Sequence, residues 1–348
     1  MAAPARLGPA LAVSLGDPAG VGPELLATAW AARDVQRLRP FFAVGGAELL
    51  AEAAARRGLA ITIRRITDPA EAADVFATAL PVLGDEDGPY RPGEPCRQGA
   101  ALALASLTRA TELAVSGAAS GVVTGPIAKS RLAEVGFLYP GQTEFVAAAC
   151  GIAAEDAVMM LAGPSLRTIP LTVHVALADV TRLVTQGLIE RRARIVARAL
   201  AQDFGLAAPR IAVAALNPHA GEDGKFGNED QTIIAPAVAA LRAEGILATG
   251  PHAADSLFAP HNRDTYDAAL CMYHDQALIP IKALDFDSGV NVTLGLPIVR
   301  TSPDHGTAFA IAGKSLAHPG ATIAAIRVAG ECAARRQSLP ANLQTRSA

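Results

Sequence analysis

Ala10-Leu11-Ala12-Val13-Ser14-Leu15 runs into Gly16-Asp17-Pro18-Ala19-Gly20-Val21-Gly22, and then into Pro23-Glu24-Leu25-Leu26-Ala27-Thr28-Ala29-Trp30-Ala31-Ala32-Arg33. The first stretch is an apolar run too short for a helix and is cut off by Gly-Asp-Pro, so it reads as a buried strand. The last stretch is a helix with proline at its first position, where a missing N–H costs nothing. A strand, a glycine-dense turn and a helix in that order form the repeating unit of an α/β sheet. Working outward, residues 41–44 read as a strand and 48–57 as a helix. Residues 98–114 are Ala/Leu-rich at helical spacing, and 121–124 form a strand ending in Gly125-Pro126. Buried strands are expected at 171–174 and 211–216 with a helix at 189–202 between them, and 268–273 repeats the strand-then-polar-loop pattern. This alternation predicts a parallel or mixed sheet covered by helices.

With 348 residues the chain has room for about two domains at roughly 150 residues each. Hydrophobic residues make up 51%, enough to bury a large core and to exclude intrinsic disorder. A net charge of −3 leaves no basic footprint for nucleic acid. Cys96, Cys150, Cys271 and Cys332 show no short regular spacing, so a disulfide framework is not expected and reduced thiols suit the cytoplasm. The apolar stretch after Arg6 ends at Asp17-Pro18, too soon for a membrane span or a convincing signal peptide. Residues 85–95 read as a surface loop, and the last dozen residues around Pro340 as a loose tail.

Ligands in such sheets sit beyond the carboxyl ends of the strands. Here the strands run into Gly16-Asp17, Gly125-Pro126, Asn217-Pro218-His219 and His274-Asp275-Gln276, and this convergence predicts a cleft. Neither G-x-G-x-x-G nor G-x-x-x-x-G-K-[ST] is present, so the usual dinucleotide fingerprint and the P-loop are both missing. His174, His219 and His274 each stand at a strand end. A lone histidine there is more often a hydrogen-bonded structural residue. Three of them, two with acidic or amide neighbours, shift the balance toward a metal site, with Asp255 and Asp275 orienting ligands or completing the shell. Only four lysines occur, and one of them, Lys282, follows an apolar run, while Asn291 and Arg300 flank a Gly-bearing apolar stretch. Such cations suit a small phosphorylated or carboxylated ligand, though each alone would pass for a surface charge.

Several longer blocks are more specific. They are residues 14–24 quoted above, Gly125-Pro126-Ile127-Ala128-Lys129-Ser130, Leu216-Asn217-Pro218-His219-Ala220-Gly221-Glu222, residues 272–282, residues 289–302 and Asp304-His305-Gly306-Thr307-Ala308. In this order they closely resemble the 4-hydroxythreonine-4-phosphate dehydrogenases of pyridoxine biosynthesis, the PdxA family, across residues 14–308. The resemblance implies two α/β/α domains like those of isocitrate and isopropylmalate dehydrogenases, residues 1–135 with 265–348 on the cofactor side and 136–264 as the second, with the active site in the cleft between them. It implies one divalent metal ion (zinc, magnesium or cobalt) on His174, His219 and His274, with His174 and His219 from one subunit of a homodimer and His274 from its partner. The substrate-contacting positions fall on Gln142, Thr143, Lys282, Asn291 and Arg300, and the catalytic candidates are Lys282, Asp255 and Asp275. Residues His305, Gly306 and Thr307 resemble the loop that receives the adenosine part of NAD or NADP, which explains the missing glycine fingerprint.

One departure stands out: where the family usually reads Gly-His-Thr-Glu-Phe, this chain reads Gly141-Gln142-Thr143-Glu144-Phe145. Gln142 can donate a hydrogen bond but cannot become cationic or relay a proton. The activity implied is NAD(P)-dependent oxidation of 4-phosphooxy-L-threonine followed by decarboxylation to 3-amino-2-oxopropyl phosphate. Lys282 either takes the hydroxyl proton or clamps an anionic group. The alternative is a sibling metal- and NAD-dependent dehydrogenase for a sugar-acid phosphate or a cis-dihydrodiol. No nucleic acid or membrane partner is expected.

Overall fold

The computed structural model describes residues 8–339, so Arg6 and most of the expected tail around Pro340 lie outside the described residues. In chain order the strands of the first half are β1 (Leu11–Ser14), β2 (Phe41–Val44), β3 (Ile63–Ile66), β4 (Leu80–Leu83), β5 (Val122–Val123) and β6 (Val158–Ala162). They are followed by β7 (Arg167–Pro170), β8 (Arg210–Ala214), β9 (Leu247–His252), β10 (Ala268–Cys271), β11 (Val290–Leu294) and β12 (Arg300–Pro303). The chain forms two compact units. One holds the described residues up to Ala157 and from Leu296 onward, and the other is Val158–Gly295. These boundaries, at 157/158 and 295/296, lie later in the chain than the expected 135/136 and 264/265. Helix Gln142–Ala149 stays with the first unit because Val146 and Ala147 pack in its core with Ala110 and Leu113. Strands β10 and β11, with the helix between them, stay with the second.

Strands of the first unit lie in the order β3-β4-β2-β1-β5-β12, every pair parallel. β1, β2 and β4 are buried at every position, as strands covered on both faces must be. Helix Arg97–Val115 turns Ala100, Ala103, Leu107, Ala110 and Ala114 inward at helical spacing, and the Cys96 thiol accepts from the Gly99 N–H to cap it.

In the second unit the order is β11-β6-β7-β10-β8-β9. The pairs β11–β6 and β6–β7 are antiparallel, and β7–β10, β10–β8 and β8–β9 are parallel. Helix Gln186–Phe204 begins at Thr185, whose hydroxyl accepts from the Leu188 N–H, and ends at Gly205 in the left-handed region. The strand expected at 171–174 is displaced: β7 occupies Arg167–Pro170, and residues 171–174 form the loop beyond it. Polar Arg167 and Thr168 disguise the real strand, although Thr168 is fully buried. Among the described residues, no helix is long and apolar enough to cross a membrane.

Candidate active site

Three neighbouring parallel strands of the second unit, β7, β10 and β8, deliver the three histidines from their carboxyl ends. The loops that follow are stitched to one another. The Thr172 hydroxyl donates to the Met272 carbonyl (2.8 Å). Gln276 accepts from the Met272 N–H (2.7 Å) and donates to the Ala215 carbonyl (2.8 Å), so one side chain ties the β10 exit to the β8 exit. His174 and His274 come together with ring centroids 5.8 Å apart. They line a cleft of about 300 Å³ with Thr172, Val175, Tyr273 and Asp275.

His274 opens helix His274–Asp285, and its Nδ1 lies 2.7 Å from Asp275 Oδ1. A carboxylate on one imidazole nitrogen turns the other outward as a donor pair, the usual arrangement behind a metal-binding histidine. Lys282 is two turns along the same helix and half-buried. Asn291 on β11 holds a buried Oδ1 with no hydrogen-bond partner, an acceptor left for a ligand's donor. Asp255 is placed otherwise: it accepts from its neighbour, the Ser256 N–H, at 2.9 Å.

His219 is presented differently. Residues 219–223 all take positive φ (53°, 55°, 81°, 40° and 56°), a left-handed turn in which only Gly221 is at ease. Each non-glycine residue there costs roughly 1–2 kcal/mol, so the surroundings must hold the turn in place. Asp230, fully buried, accepts from the Leu216 N–H (2.8 Å), the Asn217 N–H (3.2 Å) and Asn217 Nδ2 (2.9 Å). Asn217 also donates to Glu229, whose carboxyl is held below the usual range first by a backbone hydrogen bond and then by that amide. The His219 ring lies 6.2 Å from that of Phe226. Among the described residues, no three His, Cys, Asp or Glu side chains are grouped so as to hold a metal ion together. The imidazoles of His174, His219 and His274 are nonetheless each the kind of donor a divalent ion takes.

A second cluster lies within the first unit. Arg300 on β12 is buried, and its Nη2 donates to the Thr124 hydroxyl (2.8 Å) and Gln142 Oε1 (3.2 Å), while Nη1 donates to the Thr143 hydroxyl (3.3 Å). Gln142 and Thr143 open helix Gln142–Ala149, and Gln142 Nε2 donates onward to the Gly125 carbonyl at 2.9 Å. Burial pushes the guanidinium down to about 10, the nearby Glu144 opposing the shift. A cation fixed by three side-chain oxygens beside a helix N-terminus is a ready seat for an anion. The residues 16–17 loop closes against the same segment: the Asp17 N–H donates to the Pro126 carbonyl (2.8 Å), and a Cβ on Gly16 would stand 2.5 Å from that oxygen. In the loop at residues 305–307 Gly306 is exposed while His305 and Thr307 are half-buried, with His305 Nδ1 3.0 Å from the Gly306 carbonyl and nothing within 4 Å of where a Gly306 side chain would begin. That open space can admit a flat heterocycle.

A family model described as "Pyridoxal phosphate biosynthetic protein PdxA" matches residues 36–329. The chain belongs to the PdxA family. The 4-hydroxythreonine-4-phosphate dehydrogenase of Erythrobacter litoralis is 64% identical over 326 residues, covering 94% of this chain and 97% of that protein. Among solved structures, the 4-hydroxythreonine-4-phosphate dehydrogenase of Klebsiella pneumoniae has a TM-score of 0.83 at 39% identity and covers 94% of this chain and 98% of that one. A terephthalate 1,2-cis-dihydrodiol dehydrogenase of Burkholderia xenovorans has a TM-score of 0.64 at 31% identity, covering 92% and 98%.

Several residues that organise these two clusters carry no signal in the sequence. Thr124 ends an expected strand, yet nothing marks its hydroxyl as the partner of an arginine far along the chain. Gln276 stands in a polar loop, but the sequence does not mark it as the tie between two strand exits. Asp230 carries no local signal at all.

Proposed function

We propose that this PdxA-family chain oxidises the secondary alcohol of 4-phosphooxy-L-threonine with NAD or NADP, and that the resulting 3-oxo acid loses carbon dioxide to give 3-amino-2-oxopropyl phosphate. The seat around Arg300 carries the reading. Its fork is pre-aimed by Thr124, Gln142 and Thr143, so an anionic group meets an arginine whose rotamer is already fixed. Asn291, with its buried acceptor, suits a substrate hydroxyl or ammonium. Lys282 accepts the hydroxyl proton or clamps an anionic group, and Asp275 orients His274. A Lys282→Met variant whose kcat collapses with KM preserved assigns Lys282 the first role; the reverse assigns the second.

His174, His219 and His274 would hold one divalent ion (zinc, magnesium or cobalt), which when bound supplies Lewis-acid polarisation of the substrate hydroxyl. NAD or NADP supplies the hydride acceptor, with residues 305–307 receiving its adenosine end. We read the metal site as completed across a homodimer, His174 and His219 from one subunit and His274 from the other. Exposed apolar side chains on the segments that carry the histidines support this: Leu177 (69% exposed), Phe226 (48%) and Ile279 (65%). The setting is cytoplasmic, in keeping with Cys96, Cys150, Cys271 and Cys332, none of which forms a disulfide among the described residues.

One observation favours a second reading. Gln142 stands where the family usually has histidine, and a sibling substrate such as a sugar-acid phosphate or a cis-dihydrodiol would not need a titrating group there. Reduced-cofactor formation on 4-phosphooxy-L-threonine, a sugar-acid phosphate and a cis-dihydrodiol, before and after chelation, tests both readings. The first substrate is expected to give the highest kcat/KM, chelation to abolish turnover, and zinc, cobalt or magnesium to restore it. A higher kcat/KM on another substrate moves the chain to the sibling reading, and full activity in a metal-free sample removes the metal.

A further inference from the structure

We infer that Gly20 and Val21 are positioning residues for the dinucleotide: the turn after β1 sets the height of the loop at residues 305–307. This rests on the reading of that loop given under Proposed function. A glycine-dense turn between a strand and a helix often cradles a phosphate itself, because a missing Cβ lets backbone N–H groups approach the ligand. Here that space is already filled by protein. A Cβ built on Gly20 would stand 2.7 Å from the Thr307 carbonyl oxygen, 3.1 Å from its Cβ and 3.2 Å from its Cα. The obstacle is mainly backbone, which cannot swing aside as a side-chain tip would.

The contact is also bonded. The Val21 N–H donates to that same Thr307 carbonyl at 2.9 Å, and the Gly20 N–H closes the turn onto the Asp17 carbonyl at 2.9 Å. Behind it, Val21 and Leu25 pack with Ile311, Ala312 and Ala317, so the chain beyond the loop is anchored to the same helix. On the other flank the Gly93 N–H donates to the Ala19 carbonyl at 2.8 Å, and a Cβ on Gly93 would lie 3.3 Å from the Phe309 carbonyl. The loop is therefore clamped at Thr307 and open above Gly306. A platform held firmly on one side and bare on the other is what a stacked or edge-bound heterocycle needs. Moving Thr307 by a few tenths of an ångström tilts the platform without disturbing the histidines or Arg300.

The experiment compares Gly20→Ala, Val21→Pro and Gly306→Val with the parent enzyme. Folding is checked by circular dichroism and thermal melts. NADH and NADPH affinities are measured by fluorescence titration, and KM is determined for cofactor and for 4-phosphooxy-L-threonine separately. Val21 has φ −75°, which a proline ring accepts, so Val21→Pro keeps the turn's own angles while deleting the N–H and setting the ring Cδ against the Thr307 carbonyl, which must then retreat; it decides the matter if Gly20→Ala does not fold. Both turn variants are expected to weaken cofactor binding roughly tenfold, with kcat at saturating cofactor and the KM for the phosphorylated substrate within about twofold of the parent. Folded turn variants with parental cofactor affinity, alongside a Gly306→Val that loses it, overturn the inference and leave the loop reading standing. A Gly306→Val with parental affinity removes the cofactor from the loop, and the inference falls with it.

Discussion

Asp230→Ala tests whether the left-handed turn at residues 219–223 is held from below. Asp230 is fully buried and accepts three hydrogen bonds, from the backbone N–H groups of Leu216 and Asn217 and from the Asn217 amide. Alanine leaves two backbone donors without this acceptor, each costing about 1–3 kcal/mol, while Asn217 keeps Glu229 as a second partner. Leu216 and Asn217 are only half-buried, so water recovers part of that, and a net loss of about 3 kcal/mol is expected. Against a typical stability of about 5–15 kcal/mol this is a large fraction, equivalent to a fall in Tm of roughly 6–12 °C. Asp230→Asn retains one acceptor and should lose about half as much. Released from its anchor, the turn relaxes toward ordinary backbone angles and His219 moves, so metal affinity should drop about 10–100-fold, as when a ligand's supporting partner is removed. Urea denaturation followed by circular dichroism reads the first effect, and competition against a chromophoric chelator reads the second. A variant within about 0.5 kcal/mol of the parent, the ordinary scatter of surface changes, would falsify the anchoring argument. A destabilised variant with undiminished metal affinity would detach the turn from the metal site.

Three other outcomes are expected. Arg300→Lys keeps the charge but loses the fork that bonds Thr124, Gln142 and Thr143, so kcat/KM should fall about tenfold to a hundredfold, and unaltered steady-state kinetics would take Arg300 out of the site. Gln142→His replaces an amide that accepts from Arg300 and donates to the Gly125 carbonyl; the guanidinium holds the new imidazole below its ordinary value of about 6.5, and once protonated the ring repels Arg300, so substrate KM relative to the parent at the same pH should rise as pH falls below about 6.5. A sharp gain in activity of that variant on 4-phosphooxy-L-threonine would mean that the parent serves another substrate. Finally, His174→Ala and His274→Ala, each inactive alone, should regain about a quarter of parental sites when refolded as an equal mixture if the site is shared across a two-fold axis. No activity in a mixture shown to contain heterodimers would place each site within one chain.

Much of the fold could be read because its strands are apolar and short and stop at glycine or proline. Residues 41–44 are β2 to the residue, and the helix read at 98–114 spans Arg97–Val115. Not every unread strand breaks the pattern, since Leu80–Leu83 and Val158–Ala162 are short and apolar as well, but three do. Ile63–Ile66 carries two exposed arginines, Leu247–His252 includes Gly250 and Pro251, and Arg300–Pro303 opens on a buried guanidinium. The reading of 171–174 as a strand failed for the same reason in reverse: Leu171 follows the exit of β10 through its bond to the Cys271 carbonyl, but His174 at φ 53° turns the chain away. Site residues were legible where an unusual residue type stands at a strand end, as with the histidines. They were not legible where the role depends on a partner distant in sequence, as with Thr124 beneath Arg300 or Asp230 beneath Asn217.

The strand that carries Arg300 completes the first unit's sheet beside β5, yet it follows the whole of Val158–Gly295 in the chain. On the ribosome, therefore, the nascent chain emerges with one edge of that sheet open. At about 5–20 residues per second, the interval before β12 appears is on the order of ten seconds. The contiguous second unit can close during that time. The waiting edge is only the two residues of β5, too short a template to invite mispairing with another growing chain. Helix Gly320–Ser338, whose Ala325 carbonyl accepts from the Thr301 hydroxyl, arrives later still to press β12 into place. Arg300, proposed above as the seat of an anion, is thus made only after the whole of the second unit, and a nascent chain that stops short of it lacks that seat.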